Sequence, residues 1–261
     1  MIEVKNLIKT FGKSNAVDDI SFEVKAGSIF AFLGPNGAGK TTTIKMLTTL
    51  LEPTSGTIAV NGFDPVHDER EVRSSFGIVF QDPSLDEELT ALENLRFHAV
   101  LYRVPKEVRQ QRIDKLLEIV ELSDRKNDIV RTFSGGMKRR LEIARGLLHH
   151  PKIFFLDEPT QGLDPQTRNR IWDYIKHLNE KEGITIFFTT HYIEEAEKVA
   201  QEVAIIDHGK IVERGTPDEI KKKANAGSLE EAFLSLTGHD IREESVDAGF
   251  NQMRQHRQMM R

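Results

Sequence analysis

Ser28-Ile29-Phe30-Ala31-Phe32-Leu33 runs directly into Gly34-Pro35-Asn36-Gly37-Ala38-Gly39-Lys40-Thr41, and the fold follows from this stretch. The apolar run reads as a strand. The segment after it matches G-x-x-x-x-G-K-[ST], a phosphate-binding loop that opens a helix. Its glycines let the backbone curl so that successive N–H groups face inward around a phosphate, and the helix adds the positive end of its dipole. Lys40 is expected to reach the β- and γ-phosphates and the Thr41 hydroxyl to ligate Mg²⁺. The whole run from Gly34 to Thr42 is read as a nucleotide cradle. A glycine turn that merely precedes a helix is the simpler alternative, and the strand-loop-helix context argues against it.

Outward from this loop, further apolar runs read as strands at Phe76 to Phe80, Ile153 to Leu156, Ile184 to Thr189 and Val203 to Ile206. Runs without alternation suit strands buried on both faces of a parallel sheet. Before Gly27 the pattern changes: Ile2, Val4, Ile20, Phe22 and Val24 alternate with polar residues, as in a small antiparallel sheet. From about Leu89 to His150 the reading is almost wholly helical. The expected fold is α/β: a phosphate-loop parallel-sheet core with an N-terminal antiparallel β subdomain and an inserted helical subdomain. The expected ATPase-type domain covers 1–216, with the helical subdomain at about 84–150. A C-terminal extension and polar tail cover 217–261. Thr216-Pro217-Asp218-Glu219 and Ser228-Leu229-Glu230-Glu231 are helix starts with a hydroxyl N-cap and a glutamate three residues on, and Gly238 is a helix stop. The residues from His239 to Arg261 show no periodicity and read as a frayed tail.

Composition excludes several classes. The chain has 261 residues, a formal net charge of -5 and no cysteine. The acidic balance gives no reason to expect a nucleic-acid partner, and disulfides and thiolate metal sites are absent. No apolar run is long enough to span a bilayer. The start, Met1-Ile2-Glu3-Val4-Lys5, lacks the apolar stretch of a signal peptide. The expectation is a soluble chain whose membrane role, if any, is borrowed from a partner.

A phosphate loop alone does not say which machine it serves. Phe154-Phe155-Leu156-Asp157-Glu158 narrows the field, because it delivers two adjacent carboxylates at the C-terminal end of a strand, the ligand edge of an open α/β sheet. Alternation along the strand separates the two side chains. Asp157 suits the Mg²⁺ shell, and Glu158 is left to polarise an attacking water as general base.

With Phe133-Ser134-Gly135-Gly136-Met137 shortly upstream, the chain resembles the ABC ATPases, whose signature is L-S-G-G-Q. Ser134 can cap the following helix while Gly135 and Gly136 let its N-terminus approach an anion. That helix reads as amphipathic, with Met137, Leu141, Ala144 and Leu148 on one face and Lys138, Arg139, Arg140 and Arg145 largely elsewhere. The resemblance implies further roles. Gln81 matches the glutamine loop that contacts Mg²⁺ and the attacking water. His191, ending Thr189-Thr190-His191, matches the switch histidine that bonds the γ-phosphate and holds Glu158. Gly162-Leu163-Asp164 resembles the loop through which two subunits communicate, although Asp164 before Pro165 also reads as a plain helix cap. Phe11 lies where the family places an aromatic to stack on adenine; a core phenylalanine is the alternative.

The resemblance covers roughly residues 2–215 and implies an ATP-sandwich dimer. Each ATP would lie between the phosphate loop of one subunit and Ser134 to Met137 of a second, either an identical copy or a close paralogue. Partners implied are that second subunit and a separately encoded integral membrane permease, which places the chain at the cytoplasmic face of the membrane. Phe133 and Met137 depart from the family's leucine and glutamine but leave Ser134-Gly135-Gly136 intact. Ser134-Gly135-Gly136-Met137-Lys138-Arg139-Arg140-Leu141, together with Ser228-Leu229-Glu230-Glu231-Ala232-Phe233-Leu234 and Leu236-Thr237-Gly238, looks more like the subfamily serving antibiotic, sodium and polysaccharide exporters. The chain lacks the long heptad insertion of repair ATPases and the second cassette of translation factors. A non-transport ATPase serving a soluble assembly partner stays open as the alternative.

Overall fold

Strand β3 (Ile29–Leu33) is buried along its whole length, and its period-2 alternation feeds two cores. Ile29, Ala31 and Leu33 join one hydrophobic cluster, and Phe30 and Phe32 join the other. This is a computed structural model that describes residues 1–82 and 84–238. The expected tail at 239–261 lies outside the described residues.

In chain order the elements are β1 (Ile2–Phe11), β2 (Ser14–Val24), β3, α1 (Lys40–Leu47), β4 (Ser55–Val60), α2 (Glu69–Ser75) and β5 (Phe76–Val79). Three helices follow: α3 (Ala91–Leu101), α4 (Lys106–Ile119) and α5 (Gly135–Gly146). The chain continues with β6 (Ile153–Asp157), α6 (Pro165–Glu182), β7 (Thr185–Thr190), α7 (Ile193–Val199), β8 (Glu202–Asp207), β9 (Lys210–Gly215), α8 (Pro217–Lys223) and α9 (Leu229–Thr237). The larger sheet has the order β5-β6-β7-β3-β8-β9. Its first five strands are parallel and β9 returns antiparallel on β8. The smaller sheet, β2-β1-β4, is antiparallel. It is longer in sequence than expected, because β4 joins it from beyond α1. Phe22 packs on Phe30 with ring centroids 5.6 Å apart, and Phe30 on Phe187 at 5.4 Å, so aromatic contacts lock the two sheets together.

The helices α3, α4 and α5 lie between β5 and β6 and do not carry a separate core. Leu95, Leu117 and Leu141 bury into the same cluster as Val79, Leu156 and Phe188 of the sheet. Both C-terminal helix starts form. Thr216 and Glu219 make both bonds of a capping box. Ser228 Oγ accepts from the Glu231 N–H, while the Glu231 carboxylate turns back to accept from the Gly227 N–H. Among the described residues no helix is long and apolar enough to cross a membrane.

Two of the arginines read as lying largely off the apolar face of α5 are nonetheless buried: Arg139 and Arg145 are 8% and 6% exposed. Glu142, at 1%, sits between them and supplies the counter-charge. A binary reading of polar against apolar places any arginine outside, and it misses a charge that leaves water because its partners are already in place.

Candidate nucleotide site

The loop from Gly34 to Gly39 leaves β3 and enters α1 at the C-terminal edge of the parallel strands. Its first amide is fixed by donation to the Thr190 carbonyl at 3.3 Å, at the end of β7. Gly39 occupies the helix N-cap with φ 106°, and a Cβ there would stand 2.5 Å from the Ala16 carbonyl oxygen. Both facts demand glycine. Lys40 folds back over the loop and its ammonium donates to the carbonyls of Gly34 at 2.7 Å and Pro35 at 3.2 Å.

The same ammonium lies 3.1 Å from Glu158 Oε1, with both side chains 5% exposed. The other carboxylate oxygen, Oε2, is 2.7 Å from His191 Nδ1. Burial works to raise the Glu158 pKa, but the His191 hydrogen bond and the Lys40 charge outweigh it and hold the group below the ordinary carboxylate range. Glu158 is therefore the acceptor and His191 Nδ1–H the donor. Glu158 has φ 48°, a left-handed backbone rare outside glycine. Its N–H is pinned to Thr189, at 3.0 Å from the hydroxyl and 3.2 Å from the carbonyl oxygen.

Asp157, one residue earlier, faces a different set. Its Oδ1 accepts from the Thr189 hydroxyl at 2.6 Å and the Thr41 hydroxyl at 3.3 Å. Burial pushes its pKa up, with those two hydrogen bonds acting against the push. Its Oδ2 is buried and has no hydrogen-bond partner among the described residues. An orphaned carboxylate oxygen beside a threonine hydroxyl is a hard-oxygen donor set, and it fits Mg²⁺. The described residues contain no cluster of three acidic or histidine ligands, so Asp157 and Thr41 would hold a cation only together with oxygens from outside the chain. The two carboxylates do separate as expected, helped by the left-handed turn at Glu158.

Pro35, Asn36, Gly37, Gly39, Thr41, Thr42, Lys40, Gln81 and Glu158 line one pocket of 250 Å³ together with Ala16. Gln81 donates to Gln161 Oε1 at 2.8 Å. Gly34 and Ala38 are buried beneath the loop. Phe11, Ser134, Gly135, Gly136 and Asp164 do not line this pocket. Phe11 is 52% exposed, which excludes the core alternative, and the Lys9 ammonium lies 5.3 Å from its ring centroid. Asp164 caps α6, its Oδ1 accepting from the Thr167 N–H at 3.0 Å. Ser134 caps α5, accepting from the Met137 N–H at 3.3 Å. The two glycines after it differ. A Cβ on Gly135 would meet nothing within 4 Å, whereas one on Gly136 would stand 2.8 Å from Thr167 Cγ2 on α6. Gly136 thus lets α5 pack closely on α6, where a Cβ would have to displace the Thr167 side chain, and Gly135 keeps the helix start open.

Sequence reasoning missed Gln161 and Thr189. Thr189 stands two residues before His191 on β7 and bonds both acidic neighbours, a role that only the register Asp157↔Thr189 reveals. Gln161 stands three residues after Glu158, and its signal was that spacing.

An apolar surface adjoins the glutamine loop. Leu50, Phe76, Phe80 and Tyr102 line a second pocket of 180 Å³. It is continuous with the outer face of α3 through the ring contacts Tyr102–His98 at 5.9 Å and His98–Phe97 at 5.6 Å. Phe97, Val100 and Leu101 are each more than half exposed there.

Residues 17–161 match the ABC transporter family model. The chain is 41% identical over 239 residues to the daunorubicin/doxorubicin resistance ATP-binding protein DrrA of Streptomyces peucetius, covering 92% of this chain and 71% of that one. It is 40% identical over 220 residues to the Nod factor export ATP-binding protein I of Cupriavidus metallidurans, covering 84% of this chain and 72% of that one. A solved dimeric ATP-binding cassette in a post-hydrolysis state, bound to ADP and Pi, superposes with a TM-score of 0.76 at 29% identity. That match covers 83% of this chain and 98% of the other. On its motifs, its fold and these matches together, the chain belongs to the ABC transporter family.

Proposed function

We propose that this chain is the ATP-hydrolysing subunit of an exporter and that two such subunits enclose each ATP between them. One observation carries the reading: Ser134 and Gly135 stand exposed at an open helix start, outside the pocket lined by Lys40, Thr41 and Glu158. A single chain holds the two halves of a phosphate site apart, and a second copy facing it head to tail brings them together. The cassette dimer seen for a structural relative supports this arrangement.

Within the site, the loop amides and Lys40 bind the phosphates. Thr41 and Asp157, with Gln81 beside them, would hold Mg²⁺, which when bound neutralises phosphate charge. A phosphate that reaches Lys40 releases Glu158 from its ion pair. Glu158, ionised and oriented by His191, then accepts a proton from the attacking water. Phe11, on the exposed end of β1, stacks on the adenine base, and Asp164 contributes to contact between subunits while capping α6.

The membrane partner binds the apolar surface formed by Leu50, Phe80, Tyr102 and the outer face of α3, beside Gln81. Nucleotide state and permease thus meet at one loop, at the inner side of the membrane. The drug-resistance and export names of the relatives support the direction of transport. The test is purification of the tagged chain from native membranes. An integral membrane protein that comes with it in fixed ratio is the expected result, lost on Phe97→Asp/Leu101→Asp. A stoichiometric soluble partner instead would favour the assembly-ATPase reading.

A further inference from the structure

Three consecutive backbone carbonyls, of Asp157, Glu158 and Pro159, converge on one buried guanidinium. Arg139 on α5 donates to the Pro159 oxygen at 2.7 Å, to Asp157 at 2.9 Å and to Glu158 at 3.0 Å. It also donates to the carbonyl of Phe80, next to Gln81, and pairs with Glu142 at 3.2 Å. Carbonyls of successive residues point the same way only where the chain curls, and the left-handed φ of 48° at Glu158 is that curl. Three oxygen dipoles aimed at one point repel one another unless a cation stands between them. Arginine's planar fork, with five donors, meets that need where a lysine ammonium or a neutral amide does not.

We propose that Arg139 is a positioning residue for hydrolysis: it imposes the curl that aims the Glu158 carboxylate at Lys40 and His191, and it does so from the helix whose start, Ser134, completes the opposite site. The arrangement rests on the hydrolytic reading above. Glu142 extends the tie to the glutamine loop, accepting from the Ser84 N–H at 2.8 Å, and Arg145 donates to the Ser84 carbonyl at 2.6 Å. A shift of α5 on nucleotide engagement by the facing subunit therefore moves the general base and the glutamine loop of its own site together. No motif reading assigns this role, because an arginine in a basic run on a helix is ordinarily solvated.

The test is steady-state ATPase of the full chain in complex with its membrane partner, for wild type, Arg139→Gln and the double variant Arg139→Gln/Glu142→Gln. The double variant also neutralises the Glu142 carboxylate, which the single variant deprives of its 3.2 Å partner, while Arg145 keeps its donations to the Ser84 carbonyl and hydroxyl. Each is assayed well below its own melting temperature, read by circular dichroism. The expected result for both is a loss of kcat of about 10- to 100-fold, as a small misplacement of a catalytic group gives. KM for ATP should stay within about threefold, because the loop from Gly34 to Thr42 is untouched. If Arg139→Gln does not fold, the double variant decides by the same criteria. A kcat loss below tenfold, a parallel rise in KM, or recovery of kcat in the double variant would each overturn the proposal in favour of a purely structural ion pair. A wild-type complex that does not hydrolyse ATP would instead refute the hydrolytic reading itself.

Discussion

Replacing Glu158 with glutamine keeps the side chain's shape but removes its charge and turns one acceptor oxygen into a donor, so both of its jobs, proton acceptor and counter-charge, are lost together and are read by different assays. As general base the carboxylate is worth about 10²- to 10⁴-fold in turnover, or roughly 2.7–5.5 kcal/mol of barrier. As counter-charge it faces Lys40 at 3.1 Å, with both groups 5% exposed. Removing one partner of a buried pair typically costs about 3–5 kcal/mol. Here the Lys40 ammonium keeps the Gly34 and Pro35 carbonyls, so about 1–3 kcal/mol is expected. At about 2–4 °C per kcal/mol for a chain of this size, Glu158→Gln should melt several degrees below wild type. ATP reverses the order of that effect, since its phosphates supply the charge that Lys40 has lost. Nucleotide should therefore raise the variant's melting temperature by more than it raises that of wild type. Scanning fluorimetry with and without MgATP, phosphate release and gel filtration measure the three consequences. Turnover within tenfold of wild type, or an ATP-induced shift smaller than that of wild type, would refute the assignment of the base. A variant that stays monomeric with ATP would refute the sandwich.

Gly135→Ala should leave the melting temperature unchanged or slightly higher, since its Cβ enters open space and alanine favours a helix by up to about 1 kcal/mol. It should nevertheless reduce ATPase activity at least tenfold by crowding the facing subunit's phosphate. Gly136→Ala should instead cost about 1–3 kcal/mol through its clash with Thr167, so equal melting temperatures for the two variants would contradict this division of roles. His98 is held at a pKa of about 4 by burial and by the Arg145 charge, against 6.5 for the free side chain. The unfolded chain thus binds more protons between those values. Its contribution to stability is complete above pH 6.5 and declines as pH falls towards 4, by roughly 1–2 kcal/mol after solvent screening. His98→Asn should flatten the denaturation midpoint across that window, and an unaltered slope would refute the assignment.

The strand edge, the phosphate loop and the order of motifs were legible because each depends on local pattern. Ile29 to Leu33 is uniformly apolar, and Gly39 is needed by its own φ. The ends of elements were legible to within a residue or two; β5 stops at Val79 where Phe80 was expected. The antiparallel edge strand β9 was not read, since a half-exposed run such as Lys210-Ile211-Val212-Glu213 carries little apolar signal. What sequence could not give was pairing across distance. Thr189 meets Asp157 only through strand register, and Gln161 meets Gln81 across 80 positions. The burial of Arg139, Glu142 and Arg145 was not legible for the same reason: their partners lie just after β5, at the end of β6 and in the loop at Ser84, and nothing in the local spacing announces them.

The exposed row of Phe97, Val100 and Leu101 on α3 bears on how such a chain is made in a cell. Contiguous apolar patches on a free protein promote self-association. This one sits on a subunit whose formal charge of only -5 over 261 residues gives modest repulsion between copies. On the docking proposed above, copies synthesised ahead of the membrane partner would carry an adhesive face with nothing seated on it. Production matched in time and amount to that partner would remove the hazard, and in recombinant work co-expression should raise the soluble yield more than lowering the temperature does.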